Sequence, residues 1–483
     1  MTKKIVTTGL VTSATLLLML SAFATISVAG ARHMTASTST GFAKSLSSQY
    51  GVFVSDIQQT SDGGFIVAGD YRYDSSEFSH ALLIKLDSSG NIVWSENYGT
   101  NVENTGADTE FATSVHQTPD GGYIFAGSLE TQRNFGTPCY ASCAWVVKTD
   151  SSGIIQWQST FSGASTANAV DVELTSDGGY VVTGDTSDSI GIGYAWIAKL
   201  GSAGNSQWEE RIGCSSTGSS GCDAGIEPTA DPSDVQQTPD GGYVISGFGG
   251  TYPSYDALIT KLSATGAIQW QKSYDKIGID SPIQLTSDGG YILTGRVGNS
   301  DGVAGWSNLV ALKLDQNGNI QWQRQYQDPF LYCVLEGDGY DCVPASTNGL
   351  SVRQTSDGGY IFAGYFTTYA GYFEGWLLKT DASGNISWQK SYDFTQNLEF
   401  DTVRQTSDGG FVAGTPGGVV GHVTKFDSNG NISGCSAIEN TTATIVGSSI
   451  TATALSLPVA SLSSAVPTTT TASSVVITST KEC

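Results

Sequence analysis

The chain has 483 residues, of which only 14% are charged, and a formal net charge of −23. That balance speaks against nucleic acid as a partner, because phosphate binding takes clusters of lysine and arginine and no such run occurs. It also opposes docking to an anionic membrane and serves solubility. With 59 glycines, the composition suits an all-β protein of many tight turns.

Residues 3–31, KKIVTTGLVTSATLLLMLSAFATISVAGA, set two lysines before an uncharged apolar run, and Ala29 and Ala31 offer small-residue cleavage points. The expectation is a secretory signal over 1–31. An uncleaved membrane anchor is the alternative, since the run is long enough to span a bilayer. A linker follows over 32–40. Both readings place the rest of the chain outside the cytoplasm, secreted or at the cell surface. The eight cysteines agree: Cys139 and Cys143, Cys214 and Cys222, and Cys333 and Cys342 form local pairs, and Cys435 and Cys483 remain. An even count in an exported chain reads as disulfides. Zinc is the weaker reading, with four histidines and no C-x-x-C.

From about residue 41 to 435 one pattern returns seven times. A D-G-G step begins at Asp62, Asp120, Asp177, Asp240, Asp288, Asp357 and Asp408. Each copy carries a later lysine, at Lys85, Lys148, Lys199, Lys261, Lys313, Lys379 and Lys425. A turn such as LDQNGNIQW (314–322) follows, ending in tryptophan in six copies: Trp94, Trp157, Trp208, Trp270, Trp322 and Trp388. The pattern predicts four strands per copy: a short one ending in Q-T or L-T, an apolar one after D-G-G, one containing the lysine, and one containing the tryptophan. Four strands at this repeat length predict a seven-bladed β-propeller. The last copy stops at GNISGC (430–435) without its fourth strand. The segment FAKSLSSQYG (42–51) is expected to supply it, with Leu46 at the tryptophan position and Tyr50 at the tyrosine position. Closing the ring in this way removes open sheet edges.

These motifs, T-x-D-G-G-Y-I-x-x-G and K-x-D-x-x-G-N-I-x-W, resemble the repeats of exported bacterial and archaeal β-propeller proteins over about 395 of the 483 residues. The second half is also similar to the repeat of quinoprotein-like propellers and to the Asp-box turn of sialidases. The resemblance implies the fold; one fold carries many functions. A quinone-dependent dehydrogenase would need a quinone, a calcium ion and a base, and many members cover the quinone with two adjacent cysteines, which do not occur here. A sialidase-like enzyme would need an arginine cluster, where this chain has scattered Arg72, Arg133 and Arg296.

Residues present in every copy read as scaffold, with Asp accepting turn amides, Lys covering apolar surface or pairing with Asp, and Trp packing between blades. A unique site must lie where the copies differ. The second-to-third-strand loops and the blade-to-blade loops differ most, and both emerge on one face. Three cysteine pairs and many aromatics lie in them: Tyr71, Tyr73, Tyr252, Tyr255, Tyr332, Tyr340, Tyr369 and Tyr372. Such rings suit a glycan or a protein at the cell surface. No cofactor is predicted; calcium is the metal that EGDGYD (336–341) would suit, although it does not match the EF-hand pattern. No Ser/His/Asp pattern, P-loop or HExxH motif occurs. A binding or structural module is therefore the leading expectation. The alternative is a propeller enzyme, either a polysaccharide hydrolase or lyase or a quinone-dependent dehydrogenase.

Residues 436–483 are a Thr/Ser-rich tail that reads as a low-complexity, O-glycosylated stalk or as strands pairing with a partner. Cys483 would bridge back to Cys435 or to another chain. Sequons stand at Asn385, Asn431 and Asn440.

Overall fold

The computed structural model describes the chain from residue 41 onward, except 73–77, 100–107, 132–141, 163–165, 188–192, 214–230, 250–255, 276, 279–281, 299–306, 328–330, 337–338, 345, 368–371, 394–396, 417–419, 433–434, 436–437, 482–483 and the links between tail strands. All regular structure among the described residues is β. Seven antiparallel sheets follow one another, each built in chain order from an inner to an outer strand. The inner strands are Val52–Gln59, Asp108–Gln117, Ala167–Leu174, Asp231–Gln237, Gln284–Leu285, Thr347–Gln354 and Thr402–Gln405. We number the blades 1 to 7 in that order. The inner strand of blade 5 pairs over only two residues; Pro282, just before it, has no N–H to give a ladder.

Each D-G-G turn is a clip. In blade 1, Gly63 takes φ of 81°, and a Cβ on Gly64 would lie 2.3 Å from the Leu86 carbonyl oxygen and 2.5 Å from Lys85 Nζ. One glycine thus serves conformation and the next serves space. Asp62 Oδ1 accepts from the Thr60 hydroxyl at 2.5 Å and from the Gly64 N–H at 3.0 Å. Lys85 brings its buried stem along the third strand and donates to Asp62 and to the Leu86 carbonyl. The Lys–Asp pair recurs in all seven blades at 2.8 to 3.0 Å. The repeated Asp and Lys are scaffold, as expected.

Neighbouring blades meet along an aromatic seam. Trp94, Trp157, Trp208, Trp270, Trp322 and Trp388 each set their ring against the first residue of the next blade's second strand, at centroid distances of 5.5 to 6.2 Å. Tyrosines four residues on, such as Tyr274 and Tyr326, donate at 2.7 Å to the carbonyl of the next blade's turn glycine, Gly318 and Gly384. A second seam is polar. The N–H of the serine in S-D-G-G donates at 2.7 Å to a glutamine of the following blade: Ser61 to Gln117, Ser176 to Gln237, Ser287 to Gln354, Ser356 to Gln405 and Ser407 to Gln59. At the other two junctions the turn carries Pro119 or Pro239, which has no N–H, and the facing position is Leu174 or Leu285.

The strand Phe42–Ser47 completes blade 7, as the missing fourth strand required. Its register differs from the sequence expectation by four residues. Phe42 lies opposite Lys425, the place Trp94 holds opposite Lys85, and Leu46 takes the tyrosine position. Tyr50 falls beyond the strand and is exposed. A four-residue slip keeps the same side chains on the same sheet face, so strand alternation cannot detect it. Packing decides: Phe42 is buried edge-on against Phe65 at 5.8 Å and fills the space beside Gly90.

The tail adds a fifth strand to every blade instead of standing off as a stalk. Ile438–Asn440 pairs with the outer strand of blade 6, Thr444–Val446 with blade 5, Ala452–Ala454 with blade 4 and Val459–Ala460 with blade 3. Val466–Pro467 pairs with blade 2, Thr471–Ser474 with blade 1, and Thr478–Lys481 with Phe42–Ser47 in blade 7. The tail therefore circles the ring against the direction of the blades. Its short alternating segments meet seven outer edges whose N–H and C=O groups would otherwise be unpaired.

Candidate functional site: an axial cavity of unlike blades

All seven blades contribute to one cavity on the ring axis, of about 230 Å3. Strand alternation builds its wall. Counting back from the threonine of T-x-D-G-G, the third residue is always Ile or Val (Ile57, Val115, Val172, Val235, Ile283, Val352, Val403) and always buried between blades. The fourth and second residues differ from blade to blade. The fourth are Asp56, Ser114, Asp171, Asp234, Pro282, Ser351 and Thr402; the second are Gln58, His116, Glu173, Gln236, Gln284, Arg353 and Arg404. Five inner strands also carry a bulge just before this tier, which turns Ser55, Thr113, Val170, Ser233 and Leu350 toward the cavity.

The carboxylates fall into distinct states. Asp56 is held by Arg404 Nη2 at 3.1 and 3.3 Å, by the Ile57 N–H at 2.8 Å and by the Val115 N–H of blade 2 at 3.2 Å. Asp171 and Asp234, on blades 3 and 4, hydrogen-bond to each other. Burial works to raise Asp171. The hydrogen bond from Asp234, the nearby His116, the Ser114 hydroxyl at 2.6 Å and the Val235 N–H at 3.1 Å outweigh it and hold Asp171 below the usual carboxylate range. Burial, then the Asp171 charge, push Asp234 well above it, so Asp234 carries the shared proton. Its Oδ2 is buried and has no hydrogen-bond partner. Burial also raises Glu173, against the pull of His116.

The histidine tautomer follows from its neighbours. The Gln117 N–H donates to Gln58 Oε1 at 3.0 Å, so Gln58 Nε2 is the donor to His116 Nδ1 at 3.1 Å. His116 Nε2 thus carries a hydrogen and lies 3.6 Å from Glu173 Oε1. Arg353 spends one hydrogen bond on the neighbouring Val352 carbonyl, at 2.8 Å. The cavity therefore offers donors from Arg353 and acceptors from Asp234 and Glu173, beside the ionised Asp171.

None of these residues was among the sequence candidates. The signal was present: two positions per repeat vary in charge while the Ile or Val between them and the T-x-D-G-G after them repeat. Of the loop candidates, Tyr71 packs against the core of blade 1 with its ring 6.4 Å from His80. Tyr372 is exposed at the edge of blade 6. Tyr332 and Tyr340 lie on a two-stranded hairpin, Leu331–Glu336 and Gly339–Pro344, which also sets Cys333 directly opposite Cys342. Tyr73, Tyr252, Tyr255, Tyr369, Arg133, Cys139, Cys214, Cys222 and Cys483 lie outside the described residues. Cys143 and Cys435 are not free thiols. Of the sequons, Asn385 and Asn431 donate their amides to Asp381 and Asp427 inside the turns, and Asn440 faces Lys390 in the tail ladder. The 336–341 segment is described only in part. Among the described residues, no three His, Cys, Asp or Glu side chains are placed to hold a metal ion.

No protein-family model and no curated protein matches the chain. Among solved structures it is similar to Sqt1 from Chaetomium thermophilum, at 11% identity and a TM-score of 0.38, over 79% of this chain and 98% of that one. A GH43 β-1,3-galactosidase follows at 12% identity and a TM-score of 0.28, over 79% and 96%. An exotype rhamnogalacturonan lyase, YesX, follows at 9% and 0.28, over 77% and 89%.

Proposed function

We propose that this protein is an exported, disulfide-containing propeller at the cell surface or in the medium that binds a glycan through its long-loop face and the axial cavity. The observation that carries the reading is the asymmetry of that cavity. A ring whose clips and seams repeat almost without variation places unlike polar groups on its axis: carboxyls from blades 1, 3, 4 and 7 and guanidiniums from blades 6 and 7. Scaffold alone gives no reason for such variety, and alternating donors and acceptors match hydroxyl-rich ligands. The leader at 1–31 and the paired cysteines support export. A protein partner on the same face, and calcium in its acidic loops, are tested alongside.

The test is a binding screen of the secreted chain against immobilised polysaccharides, with and without calcium. Saturable binding to one class of glycan supports the reading; binding to none, with a protein captured reproducibly from the cell surface, overturns it.

A second reading rests on Asp171 and Asp234. Two carboxyls whose surroundings push their proton affinities apart can serve as base and acid, although in hydrogen-bond contact they stand closer than the carboxyl pair of a glycosidase. Release of reducing ends or of unsaturated sugars from the bound polysaccharide, abolished in Asp171→Asn, supports it; stoichiometric binding without turnover removes it.

A further inference from the structure

We infer that the axial cavity receives a single uncharged pyranose unit from the end of a glycan, held by Arg353, Asp234 and Glu173. The inference rests on the glycan reading above and deepens it.

The size argues for one ring. A volume of about 230 Å3 falls below the roughly 300–1,000 Å3 typical of sites for larger ligands. A chain threaded along the axis would need more, so only an end unit enters. The polar groups argue for hydroxyls. Asp234 is only 4% exposed, lines the cavity, and leaves Oδ2 without a partner. A buried acceptor left in that state is costly until a donor arrives. Glu173 lines the cavity on the neighbouring blade, backed by the buried His116 Nε2 at 3.6 Å from its Oε1. Arg353 has donors to spare on the opposite side. Only a group that both donates and accepts satisfies this set, and a sugar hydroxyl does both. Val170, Pro282 and Leu350 supply apolar surface for the C–H face of the ring.

The charges argue against an acidic sugar. Arg404 is already committed to Asp56, which leaves Arg353 alone to receive a carboxylate, while ionised Asp171 and the neighbouring Glu173 repel one. An amino sugar would meet Arg353 in the same confined space.

The experiment is calorimetry and saturation-transfer NMR on the full chain. The probes are methyl glycosides of glucose, galactose, mannose and rhamnose, with glucuronate, galacturonate and glucosamine as charged counterparts. At least one neutral glycoside is expected to bind, with its charged counterpart weaker by about tenfold or more. Asp234→Asn and Arg353→Gln are expected to weaken it by about tenfold each. Val170→Phe, which narrows the cavity without touching a polar group, is expected to abolish binding and keeps the test decisive if a polar variant fails to fold. A preference for a uronate or glucosamine overturns the ligand class. Glycan binding that survives all three substitutions overturns the cavity as its seat and leaves the loop-face reading standing. Binding of no glycoside and no polysaccharide overturns both.

Discussion

The backbone N–H of Ser407 donates to the side-chain oxygen of Gln59 at 2.7 Å, joining the last blade to the first across 348 residues of sequence. The same bond joins four other pairs of blades, and where proline removes the N–H, leucine replaces the glutamine. This coupling is testable inside one junction. Gln237→Leu and Ser176→Pro are each expected to cost about 1 kcal/mol. The double variant, which recreates the Pro119–Leu174 junction, is expected to be more stable than the sum. Urea unfolding of the four proteins measures the coupling, and strict additivity would remove it.

The register of the closing strand separates two residues that the sequence alone ranks the other way. Phe42→Ala empties the seam against Phe65 and is expected to cost about 3 kcal/mol. Tyr50→Ala, at an exposed position, is expected to change stability by less than about 0.5 kcal/mol. The reverse order in thermal unfolding would restore the register in which Tyr50 holds the seam.

The seven clips set the acid limit. Burial works to raise Asp120, Asp177, Asp240, Asp357 and Asp408, but hydrogen bonds from lysine, threonine and the glycine amide outweigh it, and each lies at about 2. Their folded values lie below the unfolded one, so this stability is complete above about pH 4 and is lost as pH falls through about 2. Denaturant midpoints should hold down to about pH 4 and then fall steeply. Lys261→Met removes one clip and leaves the Leu262 carbonyl without its donor. It is expected to cost about 1–3 kcal/mol at pH 7 and less at pH 2.

Asp70 acts with the opposite sign. Burial pushes it up to about 7, against the Ser79 hydrogen bond and the Arg72 charge. A raised carboxyl contributes stability that is complete below about pH 4 and is lost as pH rises to about 7. Asp70→Asn should therefore flatten the stability profile between pH 4 and 7 and exceed the parent protein at pH 8. A parallel profile for the two proteins would contradict this.

Removing residues 436–483 uncovers the outer edge of every blade at once. Exposed edges recruit other strands. The shortened ring is expected to melt earlier and to self-associate in sedimentation, while a full chain remains as it was. An unchanged melting temperature and sedimentation profile would show that the tail ladder contributes nothing.

Much of this architecture was legible in one sequence because the repeat is written seven times. D-G-G with its distant lysine implied a clip, the tryptophan implied a seam between blades, and a last copy without a fourth strand implied closure by the N-terminal segment. The axial site was written there too, in the alternation of Asp, Ser, Pro and Thr at one position and of Gln, His, Glu and Arg two residues on. It stayed unread because no blade offers more than three polar side chains to the axis. Their meaning depends on which blades stand next to or across from one another.

Sequence by itself determined the four repeated strands of a blade, the turns between them and the scaffold roles of Asp, Lys and Trp, because these follow from local periodicity and repetition. Tertiary structure alone decided three things. It placed Phe42 in the closing seam, since a four-residue slip leaves strand alternation unchanged and only ring packing tells the two registers apart. It laid the tail against the outer edges, since pairing there needs seven partners far away in the chain. And it gave Asp234 the proton that Asp171 lacks, since two buried carboxyls from different blades settle their charges only once folding has brought them into contact.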